Sequence, residues 1–161
     1  MAAEPFVNRS TADSLASVID ASTADQPEDH RQSTHIWVSG GSVELDFDFG
    51  KEMEVKTFHF LNYLTEYFDV DDVDLRFFDA AHRLVGVMSD LEPELGGNPS
   101  GHFNPIYAQD FAVSLPGPVR FVNVVLSGSN NEVDFNNIGF SAVDYMGTAT
   151  DQRGAPFERT F

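Results

Sequence analysis

The chain contains no cysteine. A disulfide framework and a thiol nucleophile are both excluded, and ordinary side chains must hold the fold together. The redox compartment stays open. Lysine is almost missing too, occurring only at positions 51 and 56. Nine basic residues face 26 acidic ones, for a net charge of −17. Such a chain repels phosphate backbones and anionic lipid, which argues against nucleic-acid and membrane-surface partners. No apolar run is long enough to cross a bilayer as a helix. The opening Met1-Ala2-Ala3-Glu4-Pro5 is too polar for a secretory signal. Neutral ligands, cations and basic partners remain, and a lysine-poor acidic surface favours solubility in a salty medium.

What is present points to strands. The 161 residues include 15 phenylalanines, enough length for one domain that buries about two-thirds of its unfolded surface. Ile36 to Ser39 is short and apolar, stopped by Gly40-Gly41. Val43, Leu45, Phe47 and Phe49 alternate with Glu44, Asp46 and Asp48, the period of a strand with one buried face, closed by Gly50-Lys51. Val55 to Leu61 reads as a separate strand with apolar residues on both faces. Asn62 to Asp71 is an aromatic and acidic loop. Val73, Leu75 and Phe77 alternate again, Asp79 to Arg83 turns, and Leu84 to Met88 returns as the hairpin partner. Glu92 to Pro105 is a flexible connection rich in proline and glycine. Ile106 to Leu115 has strand character, and Pro116-Gly117-Pro118 turns the chain. Val119 to Leu126 is apolar on both faces and hence central. Val133 to Tyr145 forms the last strand or strand pair. Residues 1–13 read as an arm, 14–146 as the folded unit, and 147–161 as a polar tail in which Phe157 and Phe161 are able to dock. The expected fold class is all-β, an antiparallel jelly-roll β-sandwich of about eight strands.

Several landmarks stand in a characteristic order: Ile19-Asp20, Thr34-His35-Ile36-Trp37, the strand ending at Gly50, and Asn137-Ile138 near the end. In this order the chain resembles the galactose-binding-like superfamily, which includes discoidin-type domains and many carbohydrate-binding modules. The likeness covers roughly Ser14 to Asp144. It departs from the family pattern in a longer loop between Asp20 and Thr34, in Ala21 where a glycine is usual, and in Asn137 where many members carry glutamate. The resemblance implies a structural calcium between the N-terminal loop and the last strand, with Asp20, Asp25, Thr34 and Asn137 as its ligands. Calcium requires six to eight hard oxygens, and backbone carbonyls would complete the set. Asp20 and Thr34 also suit a plainer role as turn caps.

The resemblance further implies a glycan bound by loops at one end of the sandwich. Sugars need flat aromatic faces together with planar polar groups. Asn62, Tyr63 and Tyr67 supply both, with His30, Arg31 and Asn130 on neighbouring loops. The competing expectation is that Tyr63 and Phe68 pack inward and only Tyr67 is exposed. Trp37 is expected at the core or rim rather than as a stacking platform. Asp69, Asp71, Asp72 and Asp74 lack the glycine and distal glutamate of a calcium loop, and Asp72 and Asp74 read as the wet face of a strand. Asn8-Arg9-Ser10 fits the glycosylation pattern. Five histidines at 30, 35, 59, 82 and 102 show no helical zinc spacing, His59 reads as a packed or edge residue, and no nucleophile elbow is present. The resulting expectation is a non-catalytic carbohydrate-binding module, exported or displayed at the cell surface and once tethered to a larger protein. An adhesion domain on the same scaffold and a small polysaccharide hydrolase or lyase are the alternatives.

Overall fold

A computed structural model describes residues 27–29, 35–96, 105–145 and 156–157. Among them are eight strands and no helix: β1 (Ile36–Ser39), β2 (Ser42–Asn62), β3 (Asp72–Phe78), β4 (Leu84–Leu91), β5 (Gln109–Ala112), β6 (Val119–Ser127), β7 (Glu132–Asp144) and β8 (Pro156–Phe157). Neighbouring strands are antiparallel throughout, in the order β1-β7-β2-β6-β3-β4, with β5 beside β2 and β8 beside β7. The all-β sandwich expected from the alternating pattern is the observed one.

The two strands expected either side of Gly50 are one continuous strand, which is the main correction to that reading. The first half of β2 pairs with β6, from Ser42↔Ser127 to Asp48↔Phe121. Its second half pairs with β7 on one side, from Met53↔Asp144 to Asn62↔Phe135, and with β5 on the other. Register with β6 shifts between Asp48 and Met53, where Gly50 adopts φ 75° and donates its amide to Asp48 Oδ1 at 2.8 Å. Glycine tolerates that left-handed backbone without steric cost, so β2 bends without ending and passes from one layer to the other. β3, β4, β6 and the start of β2 make the front layer. β1, β7, β8, β5 and the end of β2 make the back.

The front layer's inward rows follow from the period of two: Leu45, Val124, Leu75 and Met88 lie side by side, as do Phe47, Val122, Phe77 and Gly86. Phe140 on β7 closes the sandwich. Its ring lies 5.6 Å from Phe47 and 5.5 Å from Phe49 across the layers, both near edge-on, and 5.4 Å from Phe58 within its own layer. Edge-to-face contacts suit aromatic rings, whose faces are negative and edges positive. β6 lies between β2 and β3, as its two apolar faces implied. β7 and β8 pair at Ala142↔Phe157 and Val143↔Pro156.

Truncation of Phe140 removes contacts in both layers at once. Phe140→Ala is expected to cost about 3–5 kcal/mol, read as a lowered urea midpoint with the β-sheet circular dichroism retained.

Candidate functional site

Three connections meet at one end of the sandwich. The β1–β2 turn contributes Gly40, the β2–β3 loop Tyr67, and the β6–β7 loop Ser129, Asn130 and Asn131, with Glu132 at the start of β7. Together they line an open cleft of about 560 Å³. Tyr67 is 63% exposed, and its ring meets Phe68 edge-on at 4.7 Å. Trp37 stands at the rim, half-buried, and its indole N–H donates to Glu132 Oε2 at 3.3 Å.

Backbone chemistry holds the cleft in shape. Asn130 donates its side-chain amide to the Tyr67 carbonyl at 2.9 Å. The Asp134 amide donates to the Phe68 carbonyl, the Asp71 amide to the Ser127 carbonyl at 2.9 Å, and the Ser129 amide to the Asp71 carboxylate. The Gly128 amide donates to the Gly41 carbonyl at 2.9 Å. A side chain on Gly41 would meet the Asn130 carbonyl at 2.5 Å, and one on Gly128 the Asp69 carbonyl at 2.8 Å. The loops approach too closely for any residue larger than glycine at these two points.

Asn62 is a correction to the expected site. It is fully buried at the end of β2. Its amide donates to the carbonyls of Val70 at 2.9 Å and Glu94 at 3.1 Å, while Oδ1 accepts from the amides of Tyr63 at 2.8 Å and Val70 at 2.9 Å. Every polar direction of the carboxamide is spent on the loop, which makes Asn62 its staple and not a ligand contact. Tyr63 is half-buried with its ring edge-on to Phe68 at 6.0 Å, outside the cleft lining. The inward-packing expectation therefore holds for Tyr63, and the cleft unites Tyr67 with Asn130. His30 and Arg31 lie outside the described residues, as do Asp20, Asp25 and Thr34 of the expected calcium set.

Asn137 is buried in β7, where the register with β2 shifts between Leu61 and Asn62. Asn136 beside it donates to Glu28 Oε2 at 3.3 Å. Among the described residues no group of three histidine, cysteine or acidic side chains is poised to hold a metal. Glu132, Ser129 and Asn131 escaped sequence reading, because the segment from Ser127 to Asn131 looks only like a turn. The one local signal was its density of short polar side chains.

His59, on the outer face of the back layer, links two strands. Its Nδ1 is 2.6 Å from Asp110 Oδ1 and its Nε2 2.7 Å from Ser141 Oγ. The order is that of a serine-hydrolase triad, but Ser141 lies mid-strand where a nucleophile needs a sharp exposed turn. The His59 ring is buried, and none of the three lines the loop cleft. The row ties β5, β2 and β7 together, and His59 is the packed residue its position implied.

No family model and no curated protein matches the chain. Solved structures do. A pectin-binding carbohydrate-binding module has a TM-score of 0.57 at 13% identity, covering 86% of each chain. The lectin-binding domain of lectinolysin, a mutant complexed with Lewis b, has 0.55 at 12% identity, over 86% of this chain and 88% of that one. The CBM32 of AlyQ, in complex with 4,5-unsaturated mannuronic acid, has 0.54 at 12% identity, over 86% and 91%. At 12–13% identity these likenesses show the fold: the chain shares the β-sandwich architecture of these three structures.

Asp69, buried beneath the cleft loop, has its carboxyl raised from 3.8 to about 6, first by burial and then by the charges of Asp71 and Glu66. The folded chain thus holds this proton more tightly than the unfolded one. The stability it confers is complete below pH 3.8 and lost as the pH rises through about 6. Asp69→Asn removes that dependence. The variant is expected to gain on the order of 1–2 kcal/mol over the parent between pH 4 and 7, checked by urea denaturation of both at each pH.

Proposed function

We propose that the chain is a non-catalytic carbohydrate-binding module whose glycan lies in the cleft of Tyr67, Asn130, Asn131 and Glu132. The observation that carries this reading is the exposed, flat Tyr67 ring set beside planar amides and a carboxylate in a cleft whose loops are fixed by backbone hydrogen bonds. A ring face accepts the C–H side of a sugar, and amide and carboxylate groups meet its hydroxyls. Preorganised loops lose little freedom on binding, which favours affinity. Of the three similar solved structures, one is a pectin-binding module and two are complexes with Lewis b and with 4,5-unsaturated mannuronic acid, and this supports a glycan here. Glu66, Asp69, Asp71 and Glu132 crowd this end, so the preferred ligand is neutral rather than a uronate. The setting we infer is outside the cell or on its surface, as part of a larger protein, where polysaccharide is met in the salty medium that an acidic surface suits.

The calcium implied by the sequence resemblance belongs to this proposal. Asn137 is the member of the implied ligand set among the described residues, buried on β7, and Asp20, Asp25 and Thr34 would supply the rest. Bound there, the ion would pin the N-terminal loop to β7. Chelation with EDTA is expected to lower Tm by several degrees and added calcium to restore it, because a ligand held only by the folded state raises stability. An unmoved Tm removes calcium from the proposal.

Affinity electrophoresis in gels cast with neutral galactans, compared with pectin and alginate, tests the cleft. Tyr67→Ala is expected to weaken retention about tenfold, a loss of about 1.4 kcal/mol, with Tm unchanged. Tyr63→Ala is expected to leave affinity intact. Equal retention of the Tyr67 variant and the parent overturns the site.

A further inference from the structure

The outer face of the front layer carries a second cleft, remote from the loop end. It holds about 380 Å³ and is lined by Asp46, Asp48, Phe78, His82, Phe121 and Asn123, with Phe47 and Val122 beneath. Asp46 and Asn123 are cross-strand partners, as are Asp48, Phe121 and Phe78 in the next row. One wall is therefore acidic, and the other is made of rings.

The ring wall is built at a backbone cost. His82 occupies the β3–β4 turn at φ 58°, a left-handed conformation uncommon outside glycine. Asp79 organises that turn. Its Oδ1 accepts the amides of Ala81 and Arg83, each at 2.9 Å, and its Oδ2 accepts Arg83 Nε at 2.7 Å. The turn lays the exposed imidazole flat on Phe121, 4.1 Å away with 13° between planes. Strain of this kind persists where a side chain is needed at that spot.

The floor of the cleft has an acceptor to spare. The Asn123 amide donates to Glu44 Oε1 and Asp46 Oδ1, both at 2.8 Å. Carboxylates only accept, so the NH₂ edge must face them and the carbonyl edge must face away. That Oδ1 is buried and has no hydrogen-bond partner, on a residue only 9% exposed. A buried acceptor without a donor is costly. The cations nearby do not supply one. Arg120 is engaged with Asp48 through Nε at 3.0 Å and Nη2 at 3.2 Å, which holds the Asp48 carboxyl below its ordinary range, and it lies 5.0 Å over Phe121. Arg76 is Asn123's neighbour on β3 and remains exposed.

We propose that this cleft is a second binding site, for a sugar unit that carries a protonated primary amine. The ammonium supplies donors for the Asn123 carbonyl and the Asp46 carboxylate, and the ring's C–H face lies against the exposed His82 imidazole that is stacked on Phe121. The choice of a sugar rests on the glycan reading of the loop end, while the site does not share a residue with it.

Calorimetric titration with the glucosamine trimer, at physiological salt and about pH 6.5 where such amines are charged, tests the proposal. The N-acetylglucosamine trimer and spermidine are the controls. The glucosamine trimer is expected to bind at least tenfold tighter than either. His82→Gly removes the wall while relieving the left-handed backbone, so the fold is retained; it and Asp46→Asn are each expected to weaken binding about tenfold. Tyr63→Ala, outside both clefts, is expected to change nothing. Equal binding of spermidine would reveal charge attraction alone and overturn the site, as would an indifferent His82→Gly. Loss of binding in Tyr67→Ala would move the amino sugar to the loop cleft, sinking this inference and sparing that one. Retention here with no neutral glycan held at Tyr67 would do the reverse.

Discussion

Strand β2 belongs to both layers, and the rest of the molecule is arranged around that fact. Its first half is held by β6 and its second by β7 and β5. The bend at Gly50 makes the two layers one covalent piece, so neither slides past the other without breaking a ladder. Because side chains alternate along a strand, a slip of one residue on either half would turn the whole apolar set outward. The Phe47, Phe49, Phe58 and Phe140 contacts lock the register from inside. Both clefts inherit their geometry from this strand: Asp46 and Asp48 stand on its first half, and Asn62 ends its second.

The loop end shows why an amide serves where a carboxylate would fail. Asn62 donates to two carbonyls and accepts from two backbone amides. An aspartate at the same place would be unable to donate, and it would add a buried charge near Asp69, whose carboxyl is already raised by burial and its acidic neighbours. In a chain of net charge −17, neutral hydrogen-bonding groups are what allow the loops to close. Tyr67 can then present its ring because the backbone beneath it is already bonded to Asn130.

Much of the architecture was legible because burial on one face leaves a period of two. Val43 to Phe49, Val73 to Phe77 and the doubly apolar Val119 to Leu126 all stand where that pattern puts them. The continuity of β2 was not legible. Gly50-Lys51 reads locally as a stop, and only the β6 and β7 ladders on either side show that the strand goes on. Among the site residues, Tyr67 and Asn130 were chosen for their chemistry and do share a cleft. Asn62 has the same chemistry as Asn130 but is fully buried, its amide spent on the Val70 and Glu94 carbonyls, and Tyr63 is half-buried outside the cleft lining.

By itself the sequence determined the class of the fold, the absence of disulfides and the strongly negative net charge, because these depend on composition and on local periodicity. Tertiary structure alone decided which polar residues line a cleft. Glu132 reaches the cleft of Tyr67 across 65 residues of chain, and His82 meets Phe121 across a strand pair. Such meetings depend on register and on where β2 bends, and both are settled by long-range pairing.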